Sequence, residues 1–190
     1  IFVQTTTINL FVSTVLNLCL LMFGKIFIVL WVGNEFEYAI YILYFAVFST
    51  LCTGFSSSAN NILLAQANHK LLSLLSFFIV AFSIPVSIYL GLEFGLAGLA
   101  MGGALTSLIF NTYVKMTLFR RYNNYNTRSV YIGLLKSIFL VYSLGYIGSQ
   151  LLDVLNVDTW FELVLAGILS LPFIILICWV MMLDRVLKEK

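Results

Sequence analysis

Charge is what this sequence has least of. Only 9% of its 190 residues are charged and 62% are hydrophobic, whereas soluble domains carry about 25% charged residues. A water-exposed domain is therefore excluded. With ten Lys and Arg against eight Asp and Glu, there is no basic surface of the kind that nucleic acid requires. Cysteine is equally sparse: Cys19, Cys52 and Cys178 each fall inside an apolar run, which excludes a disulfide framework or a cysteine metal site and leaves small buried hydrophobes. The one histidine, His69, stands beside Lys70 with no partner acid or nucleophile in view, so it reads as a turn residue. No phosphate-binding loop, zinc signature or nucleophile elbow occurs. No cofactor or metal is implied, and the chain is not expected to be an enzyme.

What remains is long apolar runs, with a mean hydropathy of +1.05. A membrane-crossing helix takes about 20 mainly apolar residues. Cutting the runs at Gly, Pro and charged positions gives six spans, at about 5–23, 38–65, 71–92, 96–118, 130–151 and 160–182. The fold class is thus all-α, a polytopic transmembrane helical bundle. Pro85 is expected to kink the third span, and Pro172 lies in the sixth. Gly24 and Lys25 are expected to stop the first span, leaving GKIFIVLWVG as a short interfacial piece with Trp31 at headgroup depth. The segment KMTLFRRYNNYNTR, from Lys115 to Arg128, is the densest polar stretch and is expected to be a loop in water or headgroups, because Arg and Lys are costly in hydrocarbon.

The charges orient the bundle. If every span crosses, Lys70, Lys115, Arg120, Arg121, Arg128, Lys136, Arg185, Lys188 and Lys190 share one side, with Lys25 alone among the basic residues on the other. Excess Lys and Arg mark the cytoplasmic side, so Arg120, Arg121, Arg128 and the C-terminus are expected there. Glu35, Glu37, Glu93, Asp153, Asp158 and Glu162 fall on the far side. Asp153 and Asp158 read as a solvated turn, having no His or third carboxylate beside them.

Function must then rest on neutral groups, since no charge falls at the centre of a span. The second span holds Ser49, Thr50, Thr53, Ser56, Ser57, Ser58, Asn60 and Asn61, more than one helical face of polar residues. They either bond helices together or line a hydrated cavity. Asn60, Asn61 and Ser57, with Asn111 in the fourth span, are the cavity candidates, and Thr112 beside Asn111 is a weaker polar one. Gln4, Thr5, Thr6, Thr7, Asn9 and Asn17 in the first span also suit protein or water. Gly91, Gly95, Gly98, Gly102 and Gly103 give small-residue spacing, with Gly95, Gly98 and Gly102 as the candidates for close helix packing.

The order of these features resembles the C-terminal half of the polysaccharide flippases, the Wzx-like O-antigen and capsule exporters of the multidrug/oligosaccharidyl-lipid/polysaccharide superfamily. The likeness is carried by GKIFIVLWVG, then NEFEYAIYIL, then NNILLAQANHK before a basic turn, then FGLAGLAMGGALTS, across roughly residues 20 to 120. It implies a lobe of a larger alternating-access transporter in the bacterial inner membrane. The substrate implied is an undecaprenyl-diphosphate-linked oligosaccharide, and a missing N-terminal lobe completes the cavity. The opening IFVQTTTINLF, without an initiator Met, and the charged ending LDRVLKEK agree with a C-terminal part. The resemblance also implies intramembrane Arg or Lys facing the diphosphate, which the span boundaries above do not supply. Within the superfamily the alternative is a multidrug or metabolite exporter; outside it, a membrane glycan polymerase or acyltransferase.

Overall fold

The computed structural model describes residues 2–36, 38–123, 127–155, 157 and 159–182. Glu37, Asp158, Arg185, Lys188 and Lys190 lie outside the described residues. The protein is a multi-pass membrane protein built as a helical bundle. Its helices are α1 (Phe2–Val32), α2 (Ala39–Ala65), α3 (His69–Ser107), α4 (Lys115–Asn123), α5 (Arg128–Val154) and α6 (Trp160–Met182). A short 3-10 turn, Asn34–Phe36, joins α1 to α2, and a π-helical segment, Leu108–Val114, joins α3 directly to α4. Among the described residues five helical stretches are long and apolar enough to cross a bilayer, one of them the 55-residue run from His69 to Asn123.

That run crosses twice, because α3 turns back at Gly95. The turn needs φ +65° and ψ −147°, a backbone conformation that a Cβ disfavours. Helical dihedrals continue through Pro85, so the expected kink there is replaced by the reversal at Gly95. The two arms, 69–94 and 96–123, then lie antiparallel at close range. A Cβ on Gly102 would sit 2.5 Å from the Ser87 Cα, and one on Gly98 would strike the Leu90 carbonyl. Gly95 itself is exposed, with nothing within 4 Å of a Cβ. It makes the hairpin; Gly98 and Gly102 pack it.

Helix α1 is the centre of the bundle and touches α2, α5 and α6. Its apolar side, with Leu10, Leu18 and Leu21 buried, fits against small residues of α5. A Cβ on Gly145 would lie 2.8 Å from Leu21, and one on Gly148 2.7 Å from Met22. In lipid, where apolar burial drives no association, such close backbone approach supplies the packing. The core continues through Leu51, Phe55, Met116, Phe119 and Val141. Arm 69–94 and α6 instead turn Phe77, Phe82, Ile88, Phe173 and Leu176 outward, which suits acyl chains.

The first helix does not stop at Gly24 and Lys25. It runs on to Val32, so all of GKIFIVLWVG but its final Gly33 belongs to the end of this helix and is not a separate interfacial piece. Gly24 is buried where Leu43 of α2 comes close. Lys25 Nζ donates to Asp153 Oδ2 at 2.8 Å, each side chain about one-third exposed (34% and 33%). Trp31 is 71% exposed at the helix end, and Phe27 packs between it, tilted, and Trp160, edge-on. Lys25 is thus neutralised at the end of the bundle opposite Arg120 and Arg121, where α2 and α4 are joined by Gln66 Nε2 donating to Asn123 Oδ1. Partly exposed ion pairs contribute up to about 1 kcal/mol. A double-mutant cycle on Lys25→Met and Asp153→Asn, read by denaturation in detergent, should give a coupling of about that size, with the double variant losing less than the two singles summed.

Candidate functional site

Two polar clusters lie within the bundle, one on each flank of α2. The first faces α1. Asparagine amides inside a membrane helix need partners, since an unbonded amide costs several kcal/mol in hydrocarbon. Asn9 Nδ2 donates to Ser57 Oγ at 3.0 Å and to Ser58 Oγ at 2.9 Å. Two turns further along α1, Thr50 Oγ1 donates to Asn17 Oδ1 at 2.6 Å, and Asn17 Nδ2 donates to the Ser13 carbonyl at 2.8 Å. Gly54 brings the two backbones together: a Cβ there would be 3.0 Å from Ser13 Oγ. Asn9, Ser13, Asn17, Thr50, Gly54 and Ser57 line an open groove of about 420 Å³, with Val12, Leu16 and Leu20 forming its apolar wall. Asn17 is buried, whereas Asn9, Ser13 and Ser57 are half-buried and Thr50 is exposed.

The second cluster lies between α2, the π segment and α5. Ser49 and Ser107 hydroxyls meet at 2.7 Å. One turn on, Asn111 Nδ2 makes a long contact of 3.5 Å to Thr53 Oγ1, and Asn111 Oδ1 accepts from Lys115 Nζ at 3.0 Å. Lys115 is buried, only 9% exposed, and Asn111 is its sole hydrogen-bond partner among the described residues. A lysine near a helix end ordinarily extends toward the headgroups. Here the ammonium points one turn the other way, away from Arg120 and Arg121. Beside it Thr112 Oγ1 is buried without a hydrogen-bond partner, and the Thr112 carbonyl accepts from Tyr131 Oη of α5 at 2.7 Å. The Lys115 to Arg128 stretch is therefore not a loop from its start. Nine of its residues form α4, and the first of them is a buried cation.

The remaining sequence candidates are placed as follows. Ser57 lines the α1–α2 groove and Asn111 sits with Lys115. Asn60 is half-buried and Asn61 exposed toward the basic end of α2, and neither makes a side-chain hydrogen bond among the described residues. Arg120, Arg121 and Arg128 are exposed where α4 ends and α5 begins. His69 is exposed at the start of α3. Among the described residues no three His, Cys, Asp or Glu side chains come close enough to hold a metal ion. Asn9 and Asn17, rather than the Asn60–Asn61 pair, are the amides that line the groove. Lys115 is the residue that span boundaries alone misplace. No protein-family model, no curated protein and no solved structure matches the chain.

Proposed function

We propose that this chain is a lobe of a transporter that moves a lipid-linked oligosaccharide across the bacterial inner membrane, its α1–α2 groove facing the transport cavity and its basic end in the cytoplasm. The observation that carries the reading is the groove of about 420 Å³. Its polar lining is entirely neutral: amides and hydroxyls that both donate and accept, which is the chemistry that meets sugar hydroxyls without fixing a charge. Its apolar wall suits the carbon face of a sugar ring or a passing lipid chain. Lys115, buried beside Asn111, supports the reading as a buried cation of the kind that the flippase resemblance calls for and that a diphosphate would seek. The lobe carries no covalent chemistry in this reading, only alternating access completed by further helices.

The test is translocation of undecaprenyl-diphosphate oligosaccharide in proteoliposomes by the full-length protein, scored by exposure of the glycan to an impermeant lectin. Asn9→Leu with Ser57→Leu fills the groove and removes its donors, and should slow translocation by about tenfold, the effect of one to two hydrogen bonds to substrate. Transport of small cationic drugs with no flipping would assign the protein to the exporter alternative instead.

A further inference from the structure

The inward row of the 96–123 arm changes step in the middle. Gly98, Gly102 and Thr106 follow one another by fours, as successive turns of an α-helix do, and all three are buried. Beyond Thr106 the buried residues are Asn111, Thr112, Lys115, Met116 and Phe119; of these, Asn111, Lys115 and Phe119 form one row spaced by fours, with Thr112 and Met116 buried beside it. The change of step falls inside the π segment, where the Lys115 N–H bonds the Phe110 carbonyl five residues back. Without the extra residue of the π turn each downstream position would be filled by the residue before it, so Phe110, Val114 and Leu118 would stand where Asn111, Lys115 and Phe119 do. Those three are apolar and would suit a membrane core. The chain instead places an amide and an ammonium at the first two of these positions, at the expense of i→i+4 bonding. π turns of this kind concentrate at functional sites.

Such a segment needs a partner to hold it, because i→i+5 bonding is uncommon and its geometry is readily given up for i→i+4 bonding. Tyr131 of α5 donates into the segment from outside the helix, its hydroxyl 2.7 Å from the Thr112 carbonyl while its ring packs 5.0 Å from that of Phe55. We propose that Tyr131 is a positioning residue, a register lock that holds the π form and so selects Asn111 and Lys115, rather than Phe110 and Val114, for the inward row. Without the lock, the arm beyond the segment advances by one residue, a rotation of about 100° and a shift of about 1.5 Å. Each downstream position is then filled by the residue before it. The lock depends on the geometry of the arm and not on which molecule the protein carries.

Register is read by disulfide trapping in membranes, on the full-length protein with Cys19, Cys52 and Cys178 replaced by Ser. Gln66 and Asn123 meet downstream of the segment, where Gln66→Cys pairs with Asn123→Cys in the π register and with Tyr122→Cys in the α register. Ser49→Cys with Ser107→Cys lies upstream and is common to both registers. In the parent, 66/123 should cross-link in preference to 66/122. Tyr131→Phe should shift that preference toward 66/122 by about fivefold, the effect of one hydrogen bond, with 49/107 unchanged. Tyr131→Phe that leaves the 66/123 preference intact overturns the lock. So does loss of 49/107 along with it, which would make Tyr131 a general packing residue.

Discussion

Gly102→Leu is expected to prevent the 69–94 and 96–123 arms from closing, and to cost the bundle about 3 kcal/mol or more, at the upper end of what overpacking does. The atoms that a new side chain would meet are the Cα, N and Oγ of Ser87, the first at 2.5 Å and all within 2.8 Å. Two of the three are backbone and belong to a helix, so no rotamer change relieves the clash. Separation of the arms also forfeits the close contact on which helix pairs in lipid depend. The neighbouring Gly103→Leu provides the comparison, because nothing lies within 4 Å of a Cβ there. It should change stability by no more than about 0.5 kcal/mol, as ordinary surface substitutions do. Thermal melts of the two variants in the same detergent decide the matter. Equal melting would mean that the arms do not approach as closely as the structure has them.

The double substitution Asn111→Leu with Lys115→Met should act in opposite directions on stability and transport. Removing Lys115 alone would leave the Asn111 carbonyl oxygen without its donor, and a stranded buried acceptor costs about 1–3 kcal/mol. Removing both partners leaves an apolar row in their place. Replacement of buried charged groups by apolar ones of similar size is often neutral or stabilising by about 1–4 kcal/mol. The double variant should therefore melt at or above the parent. Translocation should fall by tenfold or more, roughly the worth of a charge-assisted hydrogen bond to an anionic group. A variant that melts higher and still transports at the parental rate would show that the buried cation takes no part in moving the substrate.

The two residues that mattered most to the site were legible in different degrees, and the reason is range. Span lengths and the break near Gly95 follow from local composition, so every span but the first could be read within about five residues of its ends. The continuation of α1 past Lys25 could not be read in this way, since the carboxylate that neutralises Lys25 is Asp153, 128 positions later. Lys115 is harder still. Continued at 3.6 residues per turn from Gly98 and Gly102, the helical face leads to Thr112 and Met116 and leaves Lys115 to one side; the π segment that sets its final position is not announced by local periodicity. Its support, the Tyr131 hydroxyl, again comes from another helix. Asn9 and Asn17 carried the right chemistry in the sequence, but their depth depends on the length of α1, which was the feature misjudged.

The two sides of α1 also differ in when their partners become available during synthesis. Its amides, Asn9 and Asn17, are met by Ser57, Ser58 and Thr50 of α2, the very next helix to leave the ribosome. Its leucine side waits for Gly133, Gly145 and Gly148 of α5, more than a hundred residues later. A newly inserted helix surrounded by acyl chains tolerates a bare leucine face for as long as necessary, but an unbonded amide is penalised at once. For these two amides the urgent contacts are thus encoded nearby and the patient leucine contacts far away, so neither amide waits in lipid for a distant segment to be translated.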